Sequence, residues 1–169
     1  MLILDSFHIL LCSFQFYFSS FVFIGIGILT AIGRVSQVLF KSKFSKPTYL
    51  LTELFVEGLR VIQYVLFILV SRNIDLDLET IWLTIIGGLQ DITYPQIIWN
   101  LLGFLIVFGI YNVLVFLVFS KNNTSKLMNT LNLNRYPVKS FQLALVLGFK
   151  NIFLIPLSVI YLFHLLHII

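Results

Sequence analysis

Between Asp5 and Arg34 the chain runs 28 residues without an Asp, Glu, Lys or Arg, and between Asp91 and Lys121 it runs another 29. A helix rises ~1.5 Å per residue, so about 20 apolar residues cross the ~30 Å hydrocarbon layer of a bilayer. Both runs are long enough. After Lys150 come 19 more uncharged residues, and extending that run back to Phe141 takes Lys150 into a span. The last candidate is shorter. Its uncharged core, Val61 to Ser71, has 11 residues and crosses only if the helix reaches back through Arg60, Glu57 and Glu53 to about Tyr49. The pattern predicts an all-α, polytopic membrane protein. It is a four-transmembrane-helix bundle forming one domain over residues 1–169, with spans at about 7–33, 49–71, 94–119 and 141–168.

Composition agrees: 59% of residues are hydrophobic, 11% are charged, and mean hydropathy is +1.02, far from a soluble domain. The single cysteine, Cys12, excludes an intrachain disulfide and a cysteine-built metal cluster. Met1 to Ser6 carries Asp5 and no Lys or Arg, so it lacks the basic start of a signal or transit peptide, and the first span is expected to be retained. No phosphate-binding glycine loop or serine nucleophile elbow is present, so an enzyme is not expected.

Charge is sorted among the joints. Arg34, Lys41, Lys43 and Lys46 mark the first, and Lys121, Lys126, Arg135 and Lys139 mark the third. The middle joint is acidic, with Asp75, Asp77, Glu79 and Asp91 against Arg72. Lys and Arg near span ends stay on the cytoplasmic or matrix side, so both basic joints are expected there and both chain termini on the outer or intermembrane side. The membrane is expected to be a bacterial cytoplasmic or a mitochondrial inner one. The formal net charge of +4 then records topology and not nucleic-acid binding. Segment 77–91 is too short to span and is expected to form a short interfacial or re-entrant helix between helices 2 and 3, with Trp82, Tyr94 and Trp99 at the interface.

Residues that do not belong in lipid mark the candidate site. Glu53, Glu57, Arg60 and Gln63 fall within about 120° of one helix face, because successive residues turn by roughly 100°. Each ion at membrane depth costs several kcal/mol unless it is paired or wet. If the second and fourth spans both start from the basic side, Lys150 lies at the level of Arg60 and reaches Glu53 or Glu57, with Asn151 alongside. Glu53, Glu57, Arg60 and Lys150 are therefore expected to form an intramembrane charge cluster that stabilises packing or a partner contact. Proton or ion conduction through it is the alternative.

The run around Glu53, TELFVEGL, faintly resembles the Glu-Glu-x-x-x-Arg motif of the CAAX-protease and bacteriocin-processing membrane enzymes. Thr52 stands where the first Glu belongs and Glu57 where the Arg belongs, so nothing is carried over from it. No cofactor is predicted, with His8, His164 and His167 as weaker candidates for haem or metal in a second alternative, a membrane enzyme or haem-binding subunit. Gly25, Gly27, Ala31 and Gly33 are expected to let another helix approach span one closely. The functional expectation is a small multi-pass subunit whose partners are the lipid bilayer and other membrane protein subunits, and not nucleic acid.

Overall fold

The computed structural model describes residues 2–90, 94–133 and 135–169. Among these, every regular element is helical. In chain order they are α1 (Leu2–Phe18), α2 (Phe21–Leu39), α3 (Lys46–Arg72), α4 (Leu78–Gln90), α5 (Tyr94–Val118), α6 (Lys121–Thr130) and α7 (Val138–Leu165). Four helices are long and apolar enough to cross a membrane: α2, α3, α5 from Ile97, and α7.

Two boundaries differ from the sequence expectation. The first uncharged run is two helices, parted at Ser19 and Ser20, and Arg34 lies inside α2 instead of ending it. Ser19 Oγ turns back to the Phe16 carbonyl, closing the end of α1, while Ser20 adopts an extended conformation and starts α2. Short hydroxyl side chains that bond the backbone locally end helices readily. They carry no charge, so a count of charges passes over them. The third joint also holds more than a loop, since α6 buries Thr124 and Met128 against α7.

Local chemistry explains the other ends. Ser45 caps α3, its hydroxyl accepting from the Thr48 amide at 3.3 Å, and Pro47 occupies the first turn, where a missing N–H costs nothing. Asn73 ends α3 in the left-handed conformation. Asp77 caps α4, accepting from the Thr80 amide at 2.9 Å and the Thr80 hydroxyl at 2.5 Å. These two bonds hold its carboxyl below the usual aspartate range.

Helix α7 is the hub, packed against α1, α2, α3, α5 and α6. Arg60 of α3 meets Asn151, and Arg72 donates to the Ile168 and His167 carbonyls, so α3 and α7 run parallel. Helices α2 and α5 run the other way: Gly27 meets Ile152 while Val35 meets Gly148, and Phe104 meets Tyr161 while Phe119 meets Phe149. Phe40 touches Tyr136, ring centroids 6.3 Å apart, bringing the first and third joints to one basic end. Helix α4 caps the opposite, acidic end, where Ile81 packs with Ile68 and Ile168. Helix α1 lies along α5 and the later half of α7, and an aromatic core of Tyr17, Phe23, Phe67, Phe108 and Tyr161 fills the middle.

Inside α7 the backbone widens to a π-turn over Lys150–Leu154, just before Pro156. Proline has no N–H for the carbonyl four residues earlier, here Ile152. That carbonyl accepts instead from the Tyr17 hydroxyl at 2.5 Å.

Candidate functional site

An Arg on α2 and two Glu on α3 make the centre of the site. Arg34 Nη1 lies 2.5 Å from Glu53 Oε2, and Arg34 Nη2 lies 2.5 Å from Glu57 Oε1. One guanidinium thus bridges two carboxylates a helical turn apart, which its fork of donors suits and a lysine's point charge does not. Arg60 Nη1 lies 2.7 Å from the same Glu57 oxygen, and its Nη2 donates to Asn151 Oδ1 at 2.5 Å. Gln37 donates to Glu53 Oε2 at 3.1 Å and accepts from Arg34 at 3.0 Å. Two acids and two bases sum to no net charge, and each ion has at least one partner.

Backbone approach makes this possible. A Cβ at Gly33 would overlap Val56, and one at Gly27 would stand 2.7 Å from the Tyr17 hydroxyl oxygen and 3.2 Å from the Ile152 carbonyl oxygen. Those two glycines and buried Ala31 seat α2 between α3 and α7. Gly25 does not belong with them: a Cβ there meets nothing within 4 Å. It lies roughly 160° around the helix from Gly27, at about 100° per residue.

Of the four expected cluster members, Glu53, Glu57 and Arg60 come together and Lys150 does not. Arg60 does lie level with residue 151, but Asn151 occupies the inward position. Lys150, about 100° further round the helix, turns towards α5 and places Nζ 5.0 Å from the centre of the Phe116 ring. Its place is taken by Arg34, which sequence reasoning assigned to a joint. A signal for Arg34 did exist, since it follows Gly27 by seven residues and Ala31 by three and so shares their packing face.

Polar contacts continue above the cluster. Gln63 donates to the Phe23 carbonyl at 2.8 Å, beside buried Tyr17 and Phe67. Below it, a cleft of about 410 Å³ opens from the basic end onto Arg34, lined by Gln37, Lys41, Tyr49, Ser140 and Leu147 among others. The cluster is therefore open to the basic end and closed by an aromatic layer towards the acidic end.

The histidines do not converge. His8 is exposed on α1 with Nδ1 3.8 Å from Cys12 Sγ; His164 is half-buried in α7, and His167 lies beyond its end with φ 53° and an exposed side chain. Among the described residues no three His, Cys, Asp or Glu side chains group as a metal set. Trp82 and Trp99 are exposed. The Tyr94 side chain and Asp91 lie outside the described residues.

No protein-family model, curated protein or solved structure matches this chain.

Proposed function

We propose that the chain is a small multi-pass integral membrane subunit that assembles with other chains. The observation that carries this reading is the inversion of its surface. Large apolar side chains such as Leu54 (61% exposed), Val61 (60%), Leu105 (63%) and Leu117 (63%) face outwards along α3 and α5, while Glu53, Glu57 and Arg60 of α3 pair with Arg34 and with one another, only Glu57 staying half exposed. A water-soluble monomer does not expose apolar patches on this scale, whereas a bilayer or neighbouring spans accept them.

The Arg34–Glu53–Glu57–Arg60 network locks α2 and α3 to α7 in this reading, and pairing offsets part of the cost of placing ions at depth. By the bias of Lys and Arg towards the cytoplasmic or matrix face, the basic end lies on that side and both chain ends on the other. The test is native mass spectrometry of the tagged chain extracted in mild detergent from its own membrane. A complex with other chains is expected, and a lone monomer overturns the assembly role.

One observation favours a second reading, proton or ion movement: the cleft that reaches Arg34 from the basic end. The layer of Tyr17, Phe23 and Phe67 has to open for passage. Liposome flux that is unchanged in Glu57→Gln rejects conduction.

A further inference from the structure

Lys150 sits twelve residues from the start of α7 and fifteen from its end, roughly 18 Å and 22 Å by helical rise. That is within two residues of the helix midpoint. Among the described residues no carboxylate lies within ion-pairing distance of it, and its one close polar-type contact is the Phe116 ring. A lysine stem reaches about 6 Å, so snorkelling cannot bring this ammonium to either surface. The cluster next door is neutral, with both glutamates already held by Arg34 and Arg60.

The face that carries Lys150 is also hollow. A groove of about 350 Å³ runs between α5 and α7, lined by Leu105, Gly109, Asn112, Leu154 and Ser158 among others. Leu154 follows Lys150 by four residues and Asn112 precedes Phe116 by four, so the Lys150–Phe116 contact continues the groove by one turn towards the basic end. Gly109 leaves room for close approach: a Cβ there meets nothing within 4 Å. Asn112, which lines the groove, donates to the Phe108 carbonyl, and Leu105 and Phe116 are 63% and 54% exposed.

We infer that this α5–α7 groove docks a transmembrane helix of a different chain that carries an Asp or Glu near its midpoint, pairing with Lys150. The inference rests on the subunit reading above and names the face and the partner chemistry. Charge complementarity selects the occupant. A lipid phosphate stays at the headgroup level, about 15 Å from the midplane, beyond the lysine's reach. A second copy of this chain has no spare acid at that depth, since its other described acids, Asp5, Asp75, Asp77 and Glu79, lie near the ends of the helices. A foreign span with one central carboxylate satisfies Lys150 and covers the groove.

The test places a photo-crosslinking amino acid at Leu105 of the full chain, expressed in its native membrane, in wild-type, Lys150→Arg and Lys150→Met backgrounds. The expected result is a crosslink to a transmembrane segment of another protein with an Asp or Glu within about a turn of its centre. It should be retained in Lys150→Arg and reduced about tenfold or more in Lys150→Met, in line with the loss of a paired ion at depth. The purified Lys150→Met chain should melt no lower than wild type, which separates a partner contact from an internal structural role. Crosslinks only to lipid, only to a second copy, or to a segment without a central carboxylate overturn the inference. So does a complex unchanged by Lys150→Met. A wild-type chain that extracts alone defeats the subunit reading itself, whereas an intact complex with an unaffected Leu105 crosslink defeats the docking face only.

Discussion

Without the Arg34 guanidinium, Glu53 keeps only Gln37 and Glu57 keeps only Arg60. Breaking a buried pair by removing one partner costs about 3–5 kcal/mol, and replacing a whole pair by apolar groups is often close to neutral. Arg34→Met should therefore lower stability in detergent by about 2–5 kcal/mol, the lower end reflecting the partial exposure of Glu57 in the isolated chain. Arg34→Met combined with Glu53→Met should recover part of that loss, because one orphaned carboxylate is gone. Thermal unfolding of the variants checks both. Glu53, Glu57 and Arg60 were legible from their spacing alone, since three ions on one helix face have to find partners. The choice of partner was not: Arg34 and Lys150 are both cations near uncharged runs, and which one turns inwards depends on a rotation of about 100° that Asn151 decides in α7. In the membrane reading proposed above, Lys150 accordingly carries a cost of ~2.5–3.5 kcal/mol at mid-span against ~0.5–2 kcal/mol returned by the Phe116 ring.

At the scale of the element, Pro156 and Tyr17 form a single device. Tyr17→Phe leaves the Ile152 carbonyl without its donor, a loss of about 1–3 kcal/mol for a buried acceptor. Pro156→Ala supplies an N–H that can close the helix on that carbonyl, so Tyr17→Phe should cost less in the Pro156→Ala background. A double-mutant cycle should read a coupling of ~0.5–2 kcal/mol, and additive single effects would show that the proline and the tyrosine act separately. Sequence alone shows that Pro156 opens a gap, but not which hydroxyl fills it, because the donor lies in the first helix. Helix α4 offers a titration. The Thr80 hydroxyl and amide hold the Asp77 carboxyl below its ordinary value, so its capping contribution is complete above the usual aspartate pKa of ~3.9 and is lost as pH falls through the lower folded value. The Thr80 amide resonance should titrate with a midpoint below ~3.9, and Asp77→Asn should abolish that titration. Two elements escaped charge counting altogether. The break at Ser19–Ser20 is uncharged, and α6 is polar enough to read as a loop until Thr124 and Met128 are seen packed beneath it.

For the molecule as a whole, hydropathy and charge made the long helices, their alternating directions and the shared end of the two basic joints legible, because span length and charge sorting act over many residues at once. The order of neighbours was not legible: that α7 is central and that α1 lies on α5 and α7 depends on side-chain fit between distant segments. The orientation proposed above is open to labelling. In a Cys12→Ser background, Ser42→Cys and Asn122→Cys should react with a membrane-impermeant maleimide from the cytoplasmic or matrix side only, and Leu76→Cys from the opposite side only. Labelling of Ser42→Cys and Leu76→Cys from the same side would overturn the four-span topology.

The hydroxyl of Tyr17 and the carbonyl it reaches are 135 residues apart, joining the first helix to the last. During synthesis α1 leaves the ribosome before either α5 or α7 exists, and α2 alone cannot give it a complete seat. In a chain inserted as proposed above, the opening segment gains that latch only once the closing segment has been made. A chain halted before residue 138 should then present α1 to added protease, while the finished chain shields it.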